Sequence, residues 1–149
     1  MAHTYTNLLY HCAFSTKNRR SLIADNVQAE SWAYMGGIAR SNDFKALAVG
    51  GIDNHCHILL VLPPTLPVAK AVQLIKAGSS KWMREHPDRD QFAWQEAYGA
   101  FTIGESQVPH TMEYIRNQKE HHARVSFEDE FRAFLRKNQV AFDEQYVFG

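Results

Sequence analysis

Two cysteines, no apolar run long enough to cross a bilayer and no surplus of charge of either sign set the first limits on this chain. Cys12 and Cys56 form no disulfide framework, so a packed core must hold the fold, and a reducing compartment suits both thiols. The longest apolar run, Ile58 to Leu62, falls far short of the roughly 20 residues of a membrane helix. The first twelve residues, MAHTYTNLLYHC, also lack a basic stretch followed by a signal-like apolar core. A cytoplasmic protein with no membrane partner is expected. Repeats and low-complexity segments are missing as well, so 149 residues with 45% hydrophobic and 21% charged content read as one domain.

A net charge of zero argues at first against a polyanionic partner. The distribution argues for one. Met1 to Ala24 carries Lys17, Arg19 and Arg20 and no acid; Asn54 to Arg84 carries Lys70, Lys76, Lys81 and Arg84, again with none. The compensating acids fall in Glu85 to Glu105 and in the tail, which leaves room for a basic face.

Leu8, Tyr10, Cys12 and Phe14 alternate as in a strand, and TKNRRS reads as a loop. Asp25 with Gln28 resembles a capping box, and Val27, Ser31, Tyr34, Met35 and Ile38 continue at helical spacing to about Arg40. FKALAVGG and HCHILLVL, separated by a turn signal, predict an antiparallel hairpin. After PPTLP a second helix buries Val68, Ala71, Val72, Ile75, Ser79 and Trp82, and turns Lys70, Gln73, Ala77, Lys81 and Arg84 outward. YGAFTIG predicts the last strand, its glycines marking bulges or close backbone approach. A third helix is expected from about Ser106 to Arg124. The order is that of an α+β, ferredoxin-like antiparallel sheet with one added helix. The expected division is a catalytic core over 1–124 and an appendix over 125–149, both within a single domain.

In DNHCHILL the two histidines, His55 and His57, share one strand face while Cys56 points to the other. That geometry serves a metal pair and two ordinary edge histidines equally well. HTMEYIRNQKEHH sets Tyr114 and Gln118 one helical turn apart, with Asn117 and His121 on the same side. If this helix covers the histidine face, His55, His57, Gln118 and Tyr114 share a site. Three neutral ligands would leave a divalent cation its full charge for a phosphate. His121 and His122 would extend that site or simply complement the helix end. His11 would line the same cleft.

NHCHILL resembles the His-hydrophobic-His motif of HUH endonucleases, and YIRNQ the tyrosine motif of their single-tyrosine transposases, the IS-two-hundred-like transposases and repeat-associated relatives. YHCAFSTKNRR, LIKAGSSKW and FAWQEAYGAFTIGES extend the likeness over nearly the whole chain, with Cys56 a small departure at the hydrophobic position. The resemblance implies that Tyr114 attacks a phosphodiester of single-stranded DNA, giving a 5′-phosphotyrosine and a free 3′-hydroxyl. It implies that His55, His57 and Gln118 hold Mg²⁺ or Mn²⁺, and that the partners are hairpin-ended single-stranded DNA and a second copy in a homodimer. Lys17, Arg19, Arg20, Lys70, Lys81 and Arg84 are the expected DNA contacts. Two other readings stay open: a host-maintained nickase acting on repeated palindromes, and a non-catalytic single-strand binder.

Overall fold

A computed structural model describes residues 3–149. Its strands are β1 (Leu8–Ser15), β2 (Lys45–Ile52), β3 (His55–Leu62) and β4 (Gly99–Thr102). They form one antiparallel sheet in the order β2-β3-β1-β4, with β1 and β3 central. Helix α1 (Asp25–Ser41) links β1 to β2 and α2 (Val68–Arg84) links β3 to β4, the split βαβ arrangement of a ferredoxin-like fold. β2 and β3 are joined by the two-residue turn Asp53-Asn54, as the hairpin signal requires.

Strand alternation assigns the two sheet faces. Cys12, Phe14, Cys56, Ile58, Leu60 and Leu62 point to one face and form the main core with Met35 and Ala39 of α1 and Ala71, Val72 and Ile75 of α2. His11, Ala13, Ser15, His55, His57 and Leu59 point to the other. That face is covered by helices from the last third of the chain, α3 (Val108–Arg116), α4 (Gln118–His122) and α5 (Phe127–Lys137).

Several local expectations change. The helix foreseen from Ser106 to Arg124 is broken at Asn117, whose φ of −99° and ψ of 28° end α3 and start α4. Asp25 does not cap α1 as the outer residue of a capping box: Ala24 holds that position, and Asp25 Oδ1 accepts from the Gln28 side chain at 3.1 Å. On α2 Met83, not Trp82, takes the innermost place, packed with Ile23 and Phe92; Trp82 is half-buried and stacks on Tyr34 at 4.8 Å. The tail read as an appendix folds back onto the sheet, where Phe127, Phe131 and Leu135 pack against Ala13 and Phe101. Gly149 then accepts a hydrogen bond from the Ala97 backbone at 3.1 Å.

Candidate active site

Two glycines let helices close on the histidine face. Gly50 of β2 lies opposite His57, and a β-carbon there would run into the backbone carbonyl of Ile115 on α3. Gly99 of β4 pairs with Ala13, and a β-carbon there would stand 2.7 Å from the Phe131 ring of α5. Both sites need the missing side chain for close approach, since neither backbone is left-handed. The result is that α3 and α5 reach the imidazoles over one sheet face from its two opposite edges.

His55 and His57 are fully buried on the shared face that strand geometry requires. The His55 Nδ1 lies 2.8 Å from Asn54 Oδ1. Its Nε2 faces Gln118 Oε1 at 3.0 Å, while the Gln118 amide nitrogen is held by donating to the Tyr114 carbonyl at 3.1 Å. A neutral ring has one N–H to share between these two oxygens, so one of its nitrogens keeps a lone pair inside the site. Burial, reinforced by the neighbouring His57, lowers the pKa of His55 to about 3, so the ring is neutral at pH 7. Imidazole nitrogens and an amide oxygen aimed inward are donors that a divalent cation takes, and these residues fit one.

His57 Nδ1 meets His11 Nε2 at 2.9 Å, and His57 Nε2 meets Glu130 Oε1 at 2.8 Å. His11 is pushed down to about 3 by burial and by His57, so it too stays neutral and serves to orient its neighbour. Burial pushes the Glu130 carboxyl up, but hydrogen bonds from His122 and His57 outweigh it and hold the group ionised, far below the ordinary carboxylate range.

Tyr114 projects from α3 into the same site. Its hydroxyl donates to Glu130 Oε2 and lies 3.2 Å from His121 Nε2. Its ring stands edge-on to His57, centroids 5.7 Å apart. Burial first, then the Glu130 charge, raise its phenol above the ordinary range, so the free phenolate is scarce at neutral pH. One edge of the ring opens to a 180 Å³ cleft lined by His11, Thr102, Gln107, His110 and Lys137.

The four residues expected at the centre, His55, His57, Tyr114 and Gln118, therefore meet within one chain. The basic residues divide. Lys17, Arg19 and Arg20 follow β1 in a short turn at the His55 end of the sheet, where Arg19 donates to the Phe148 carbonyl at 3.1 Å. Lys70, Lys81 and Arg84 are exposed on α2, which covers the opposite sheet face from the histidines.

Glu130 was missed, though a signal existed. Phe127, Glu130, Phe131, Phe134 and Leu135 share one helical stripe, and an acid on an apolar stripe has to find a partner inside. His122, for which site extension and helix-end complement were both open, is half-buried with its side chain turned inward, 3.1 Å from Glu130 Oε1. The break at Asn117 allows His121 and His122, neighbours in sequence, to reach the two oxygens of one carboxylate.

Residues 4–118 match the family model described as Transposase IS200 like. The transposase for insertion sequence element IS200 of Salmonella typhimurium is 25% identical over 126 residues, covering 80% of this chain and 82% of the relative; that of Salmonella typhi gives the same figures. Among solved structures, one described as a candidate transposase from Deinococcus radiodurans superposes with a TM-score of 0.63 at 23% identity, covering 79% of this chain and 95% of the other. A REP-associated tyrosine transposase bound to a REP hairpin gives 0.61 at 17%, covering 84% and 74%. At these identities the structural likeness speaks for the fold.

Proposed function

Since the chain belongs to the IS200-like transposase family, we propose that it cleaves and rejoins single-stranded DNA through Tyr114, with His55, His57 and Gln118 holding a divalent cation. The observation that carries this reading is a shared partner: the Tyr114 hydroxyl and His57 Nε2 bond the same carboxylate of Glu130. Nucleophile and ligand are thereby held side by side on one sheet face.

In the proposed step the Tyr114 Oη attacks a phosphodiester as its proton passes to the carboxylate that already accepts its hydrogen bond. The Oη–P bond forms, the P–O3′ bond breaks, and the departing oxygen takes a proton from water to leave as a 3′-hydroxyl. When bound, Mg²⁺ or Mn²⁺ in this donor set supplies Lewis-acid polarisation of the phosphate. The chain's own contribution is orientation: Asn54 and His11 fix the imidazoles, and α3 fixes the ring. A phosphotyrosine ester keeps the bond it was made from, so a 3′-hydroxyl reverses the step and strands are rejoined without ATP. DNA hairpins, the terminal structures expected of an insertion sequence, are the proposed substrate, and a homodimer the proposed assembly.

The test is incubation with a labelled single-stranded hairpin oligonucleotide from the flanking DNA. A covalent protein–DNA band on a denaturing gel, together with a released strand that a polymerase extends, is the expected result. Cleavage without an adduct would overturn the tyrosine mechanism.

A further inference from the structure

Three buried groups around the histidine pair are not among the ligands His55, His57 and Gln118: the Glu130 carboxylate and the rings of His122 and His11. His11 supports His57 from behind. Glu130 and His122 are placed differently, because their polar atoms point toward the histidine pair.

One ligand atom from each of His55, His57, His122 and Glu130 lies within 4.8 Å of the others. Glu130 Oε1 is 2.8 Å from His57 Nε2, 3.1 Å from His122 Nε2 and 3.8 Å from His55 Nε2. The outer nitrogen of His122 is already committed, since its Nδ1–H donates to the Val125 carbonyl at 2.6 Å. Its Nε2 is therefore the nitrogen turned inward, 3.1 Å from Glu130 Oε1. Each imidazole engages a neighbour through its outer nitrogen and turns the inner one toward this cluster, the pattern in which surrounding groups orient metal ligands.

The carboxylate divides its oxygens between two tasks. Oε1 faces the three imidazoles; Oε2 accepts from the Tyr114 hydroxyl and lies 3.1 Å from His121 Nε2. Resting on the cation-assisted reading above, we propose that Glu130 and His122 form with His55 and His57 a four-donor divalent-cation set beside Gln118, and that the Glu130 carboxylate joins this site to the nucleophile. Its single charge leaves a bound divalent cation net positive toward a phosphate. Because α5 carries this carboxylate, residues beyond the family match at 4–118 become part of the catalytic machinery.

The test is a titration of the full chain with Mn²⁺, followed by calorimetry, for wild type, Glu130→Gln, His122→Gln and His57→Ala, with circular dichroism confirming the fold of each. Glu130→Gln and His122→Gln are each expected to weaken Mn²⁺ binding by about tenfold or more. At saturating Mn²⁺ the DNA adduct should return in His122→Gln, which keeps the bond between carboxylate and tyrosine, and stay low in Glu130→Gln. Mn²⁺ affinity within about twofold of wild type in both variants would overturn the four-donor site. Full recovery of Glu130→Gln at saturating metal would overturn the link to Tyr114. If wild type bound no Mn²⁺ yet still formed the adduct, the cation-assisted reading itself would fall and this inference with it.

Discussion

Gly50 sits directly across the β2–β3 ladder from His57, and the space its missing side chain leaves is filled by the carbonyl of Ile115, one residue after Tyr114. The pairing makes a backbone position on an edge strand responsible for how close the tyrosine comes to the imidazole. In Gly50→Ala the new methyl meets backbone, not the end of a flexible side chain, so α3 must shift. A loss of about 1–3 kcal/mol in denaturant unfolding is expected, with weaker adduct formation and unchanged hairpin binding. Wild-type adduct yield in this variant would show that α3 has no fixed distance to keep.

Tyr114→Phe removes one oxygen and the hydrogen bond to Glu130. Adduct formation and cleavage are expected to vanish, while Mn²⁺ affinity and gel-shift binding of hairpin DNA stay near wild type. Losing a hydrogen bond to a charged group costs about 1.5–3 kcal/mol, which chemical denaturation will register. Cleavage by the Phe variant at the wild-type rate would make water the nucleophile.

The basic residues occupy two places, so they can be tested separately. If both sets contact phosphates, neutralising Lys70, Lys81 and Arg84, or Lys17, Arg19 and Arg20, flattens the log–log salt dependence of binding by about 0.7–0.9 per lost contact. An unchanged slope for the α2 set would confine the DNA to the histidine face. Arg19 also bonds the Phe148 carbonyl and lies over its ring at 5.0 Å, so Arg19→Ala alone should additionally loosen the tail.

His11 and His55 are lowered to about 3 in the fold, against about 6.5 for an unperturbed imidazole. Between those values the unfolded chain binds protons that the folded chain refuses, so stability falls as pH drops from about 6.5 toward 3. Each group adds a slope of up to about 1.4 kcal/mol per pH unit. Thermal unfolding in chelator from pH 7 to pH 4.5 should show a falling Tm, less steep in His11→Gln. A flat profile would mean that these imidazoles accept protons in the folded state.

Local geometry alone placed much of this protein. Strand alternation put His55 and His57 on one face, helical spacing put Tyr114 and Gln118 one turn apart, and the order of strand and helix signals yielded the split βαβ sheet, because these periods follow from backbone geometry within a few residues. The single helix expected after β4 failed at Asn117, where no proline or glycine announces a break.

What only the tertiary structure decided are relations between distant segments. Glu130 reaches His57 across 73 residues of sequence, and the α2 stripe turns out to lie on the far side of the sheet from the site. Neither follows from a local period. The first depends on how closely α3 and α5 approach a sheet opened by Gly50 and Gly99, and the second on which face each crossover helix covers, a choice set by packing the whole core at once.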